Sequence, residues 1–142
     1  SVSKGGASAA ATFTLTATAT AVELWRLANF GTSENTGPAA DSADPDGDGM
    51  NNLSEYAAGT DPNNAADVFK VLSAVKGATS YTVTVPGKAS RSYVLERSAS
   101  LGTGPWTAVG SVGPLAVPGT ITLSDPAAPT EAGFYRVRVS AP

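Results

Sequence analysis

The twelve residues Asp44–Glu55, DPDGDGMNNLSE, hold four of the chain's 12 acidic side chains. A hard cation needs many oxygen ligands. A short chain supplies them when side-chain oxygens recur at every second position, a backbone carbonyl follows, and a closing carboxylate binds through both oxygens. Asp44, Asp46 and Asp48 take the first, third and fifth positions, and Gly49 takes the sixth, where the chain must turn sharply. Met50 offers its carbonyl at the seventh, Asn52 ligates at the ninth directly or through water, and Glu55 closes at the twelfth. The pattern D-x-D-x-D-G-x5-E is met throughout and points to Ca2+. Mg2+ fits less well because it keeps its waters and takes fewer protein ligands. Without a cation, four carboxylates this close repel one another, so a ligand-free loop is a poor use of them.

Other chemistries are poorly supplied. The 142 residues include no histidine and no cysteine, which removes the commonest general base, thiolate chemistry and disulfides. There is no G-x-S-x-G elbow and no phosphate loop. Glu23, Glu34, Glu96 and Glu131 are scattered singly, so the expectation is a protein that is not an enzyme. Net charge is −3, but between Arg26 and Lys70 there are eight acidic residues and no basic one, while the remainder is net basic. Such a block suits a cation and not nucleic acid. No apolar run reaches the length of a membrane span. The start at Ser1 suggests a processed or excised product.

Two departures separate the loop from a paired calcium sensor. Its eighth position is Asn51 where an apolar bridge to a partner loop is usual, and there is no second complete loop; Gly37, Pro38 and Pro45 also prevent a helix from leading straight in. Asp41, Asp61 and Asp67 are spare carboxylates that would add a ligand or a second weak site, or else cap turns.

The stretch DPDGDGMNNLSEYAAGTDPNN resembles a thrombospondin type-3-like calcium repeat of the bacterial kind, including the GTDP after the short helix, over about residues 41–67. YVLERSASLGTGPWTAVG and FYRVRV resemble, more loosely, the β-rich C-terminal region of large secreted bacterial proteins. The resemblance implies calcium binding in an extracellular or cell-surface protein, secreted by a bacterium, and assigns no catalysis.

The elements that must hold the loop follow from periodicity. Residues 1–11 are small and read as a flexible tail. Residues 12–21, TFTLTATATA, alternate Thr with Phe13, Leu15, Ala17, Ala19 and Ala21, the period of a strand with one buried face. In 22–30 the period changes: Val22, Trp25 and the Leu24/Leu27 pair fall at helical spacing, with Gly31 as a stop. Residues 22–68 thus form a helix plus the calcium-loop segment, with a short helix ending at Gly59. Residues 69–142 read as β, with strands expected at 69–75, 80–85, 92–98, 106–111, 118–123 and 133–139. The fold class is mainly β: an antiparallel, immunoglobulin-like sandwich with a small helical calcium-loop insert. Trp25 reads as packing, and Trp106 as a core anchor or a platform for sugar stacking.

The function expected is a non-catalytic, calcium-stabilised structural or adhesive module. The strand at 12–21 has two placements: in its own sandwich, or as a donor strand in the open edge of a neighbour, making a head-to-tail filament. The alternative is a calcium-dependent carbohydrate-binding or accessory module of a larger secreted protein. The partners would be a second copy of the chain, or a surface glycan or protein.

Overall fold

The computed structural model describes residues 18–142. The tail at 1–11 and most of the alternating run, through Ala17, lie outside the described residues. The end of that run departs from the expected strand: Thr18–Thr20 belong to no strand, and Ala21 opens helix α1, Ala21–Phe30. A capping box overrides the alternation. The Thr20 hydroxyl accepts from the Glu23 N–H, and the Thr20 N–H donates to Glu23 Oε2 at 2.7 Å. The helix stops at Gly31, whose φ of 72° is left-handed.

Helix α1 keeps the leucine pair at helical spacing but does not bury it. Leu24 and Leu27 are 55% and 51% exposed, whereas Arg26 is buried. Arg26 is drawn inward by Asp41, which accepts from its Nη2 at 2.6 Å. Trp25 packs as expected, edge-on against Phe30 and Tyr56 with ring centroids 5.9 and 5.7 Å away. A single 3-10 turn, Gly37–Ala39, and the short helix α2, Asn52–Ala58, complete the helical part.

Six strands follow: β1 Ser73–Lys76, β2 Tyr81–Gly87, β3 Ser92–Ser98, β4 Thr107–Val112, β5 Gly119–Asp125 and β6 Phe134–Ser140. They form two antiparallel three-stranded sheets, ordered β1-β2-β5 and β4-β3-β6. Alternation carries Val83, Val85 and Leu123 of one sheet and Tyr93 and Leu95 of the other into a shared core. Half-buried Ile121, Tyr135, Val137 and Val139 flank it. Five strands begin within about one residue of the positions expected from sequence. The first starts later, because Phe69 gives its N–H to Met50 Sδ of the acidic loop and joins no ladder.

One end of the core is polar. Arg97, on the inward side of β3, meets Asp125 at 2.6 Å, and the Tyr135 hydroxyl donates to the same Asp125 oxygen at 2.9 Å. Tyr135 also stacks on Tyr81 at 4.0 Å, so this cluster joins both sheets. Burial, the largest single influence, raises the Asp125 pKa. The Ala127 N–H, the Tyr135 hydroxyl and Arg97 together outweigh it and hold the carboxyl below its ordinary value of 3.8.

Candidate metal site

The acidic loop is shaped by its own aspartates. Asp44 accepts from Gly47 N–H through Oδ1 at 2.9 Å and from Gly49 N–H through Oδ2 at 3.0 Å. Asp46 accepts from Asp48 N–H, and Asp48 from Met50 N–H at 2.7 Å. These local bonds wind the chain into successive tight turns. Gly49 has φ 96°, a left-handed conformation that favours glycine, as the sharp turn at the sixth position requires.

The winding leaves carboxylate oxygens over. Ligand oxygens of Asp44, Asp46 and Asp48 lie within 4.8 Å of one another, so this triad could hold a metal ion. Asp46 Oδ2 and Asp48 Oδ2 are buried and accept no hydrogen bond. Glu55 is fully buried on α2. Its Oε1 accepts from the Thr60 hydroxyl at 3.3 Å, and its Oε2 is a third buried oxygen with no partner. Glu55 stands outside the 4.8 Å triad yet feels its charge. Burial, then Asp46 and Asp48, push its pKa up from 4.5 to about 7, with a smaller push from Asp44 against the lowering effect of Thr60.

The two remaining sequence-derived ligands are differently placed. Met50 sits half-buried at the turn into α2, with its sulfur taking the Phe69 N–H at 3.3 Å. Asn52 is buried, and its amide donates to the carbonyls of Pro38 and Ala40 at 2.8 and 2.7 Å, which ties the 3-10 turn to α2. Its Oδ1 is buried without a partner.

The spare carboxylates are engaged by protein groups. Asp41 takes Arg26 and Asn35, Asp61 takes its neighbour Asn63 N–H, and Asp67 pairs with Lys88 at 2.6 Å while accepting from Asp61 N–H. None belongs to the triad. Two supporting roles were not read from sequence. Thr60 holds Glu55, and Asn51 caps α2 by accepting from Ser54 N–H at 2.9 Å. The second had a readable signal, a short polar residue just ahead of a helix. Thr60 had none, because its partner is fixed only once α2 ends at Gly59.

The segment is docked on the sheets next to the loop. Arg91, just ahead of β3, donates to the Tyr56 carbonyl at 2.9 Å and lies 5.9 Å from the Tyr56 ring centroid. Trp106 is half-buried, with the Arg136 guanidinium 4.2 Å from its ring centroid. Arg136 and Arg138 both pair with Glu96. No family model matches the chain, nor does any curated protein or solved structure.

Proposed function

We propose that Asp44–Glu55 binds calcium and that the chain is a non-catalytic, calcium-stabilised structural module of an extracellular or cell-surface protein. The observation that carries this is the set of buried, partnerless carboxylate oxygens: Asp46 Oδ2, Asp48 Oδ2 and Glu55 Oε2. Burying a charged oxygen without a partner costs several kcal/mol, on the order of the whole margin of stability. A cation removes that cost. The donor set is oxygen only, which suits a hard ion, and its number and spacing favour calcium over magnesium. This is the thrombospondin type-3-like reading of residues 41–67, joined to an immunoglobulin-like sandwich of two antiparallel sheets.

A structural role is supported by where the loop's neighbours go. Phe69 gives its N–H to Met50 while its ring stacks on Tyr93 of β3, and Arg91, just ahead of β3, holds the Tyr56 carbonyl of α2, so a filled loop would hold the helical segment on the sheets. A non-catalytic role is supported by the buried acids outside the loop. Asp125 is held by Arg97 and Tyr135, and Glu96 by Arg136 and Arg138, which leaves neither poised as a general acid or base.

Isothermal titration with calcium and magnesium tests the metal reading. Calcium should bind more tightly, and Asp46→Ala and Glu55→Gln should each weaken it by at least tenfold. Absence of calcium binding by the native protein sinks it. Turnover of a polysaccharide, peptide or ester that survives Asp44→Ala would overturn the non-catalytic part.

A further inference from the structure

The two sheets meet unequally along their two sides. Where β4 faces β5 they touch: a Cβ added to Gly110 would lie 2.5 Å from the Ser124 carbonyl oxygen. On the opposite side, β1 and β6 are the outermost strands of their sheets. A groove of about 70 Å³ lies there, lined by Val71, Ala74, Tyr135 and Val137 and by the buried Val83 and Leu95. All four residues of β1 are exposed, as is Val71, at 53%. Among the described residues, neither β1 nor β6 has a second strand partner. Unpaired strand edges beside an apolar groove are a template for strand addition, in which main-chain hydrogen bonds give affinity and alternate side chains fill the groove.

We infer that this groove receives residues 12–17 of a second copy of the chain. Phe13, Leu15 and Ala17 alternate with Thr12, Thr14 and Thr16, so an added strand of this sequence would present one apolar face. The described end of the same run, Thr18–Thr20, is exposed, outside any strand, and turns at once into α1 through the Thr20 capping box. At that end the run meets its own body from solvent and does not lie in a sheet. The donated segment and the receiving groove are different surfaces, so the proposed contact is head-to-tail, and unless its rotation closes a ring it builds a filament. No residue of the acidic loop lines the groove, so this inference stands apart from the metal reading.

Sedimentation of the full chain in calcium, over a concentration series, tests it. The native protein should form a ladder of growing species. The double variant Phe13→Asp/Leu15→Asp, defective in the strand, and the double variant Val71→Asp/Ala74→Arg, altered at exposed groove positions, should each be monomeric, with the thermal midpoint of the native protein diluted to its monomer. Their equimolar mixture should form a 1:1 dimer and stop, because one variant keeps the groove and the other keeps the strand. A native protein that is monomeric at every concentration, or that stops at a closed dimer, overturns the inference. So does assembly that survives both pairs of substitutions. A monomer whose thermal midpoint falls in Phe13→Asp/Leu15→Asp places the strand in its own groove and also overturns it.

Discussion

In the two-sheet body the largest fully buried side chains are Tyr93, Leu95, Leu123 and Val85, with Asp125 the charged exception. In the acidic-loop segment they are Glu55, Asn52 and Pro62. The body is held by apolar burial that needs nothing from solution. The segment has put a carboxylate and an amide where a core would be, and their polar atoms must be satisfied from elsewhere. On the calcium reading proposed above, one chain would contain a part whose stability is intrinsic and a part whose stability is conditional on a solute.

The largest effect that sharpens this contrast is Leu95→Ala. Emptying a fully buried position between the sheets should cost about 2–5 kcal/mol, and thermal melts should show the same loss with calcium and with chelator. Next comes removal of the ion. With a dissociation constant of roughly 10 μM and about 1 mM free calcium, binding contributes about 2.7 kcal/mol. Calorimetry should show the midpoint falling in chelator, with early proteolysis confined to residues 31–68. Identical melts in calcium and chelator would erase the contrast.

A smaller effect comes from Asp41→Ala. It leaves Arg26 buried without its partner, but Asp41 itself is 36% exposed, so the loss should be about 1–2 kcal/mol, below the range for a fully buried pair. It should appear with or without calcium, while calcium affinity measured by titration changes little. A large loss of affinity would make Asp41 part of the metal site.

The remaining effects are pH responses of opposite sign. Glu55, raised from 4.5 to about 7, stabilises the metal-free fold below its ordinary pKa, and this contribution is lost as pH rises through about 7. Asp125, held below 3.8, contributes above that value and loses its contribution as pH falls through its lower folded pKa. Denaturant titrations in chelator should therefore show Glu55→Gln more stable than the native protein at pH 8 and little different at pH 5. Asp125→Asn should be less stable than the native protein at pH 7, with the gap narrowing in strong acid.

The strands were legible because alternation is a local property: Val83/Val85, Tyr93/Leu95 and Tyr135/Val137/Val139 stand two apart and turn to the core together. The loop triad was legible for a similar reason, since its ligand spacing lies within one short stretch. What escaped was set by distant partners. Leu24 and Leu27 stand at helical spacing, but Asp41, fifteen residues beyond Arg26, pairs with Arg26 and turns that side of α1 inward instead. The start of β1 moved because Phe69 answers to Met50, nineteen residues earlier. The end of the threonine run is the exception: the Thr20–Glu23 capping box was present in the sequence, and the longer alternation masked it.

Gly110 gives the molecule a spine. Its lack of a side chain lets β4 lie against Ser124 so closely that any other residue would push the backbones apart. The sheets are therefore bound together along one long side, like the covers of a book, while the fore-edge between β1 and β6 stands open. Replacing Gly110 with alanine would loosen the binding itself, and the damage would register at the fore-edge, the full width of the sheets away.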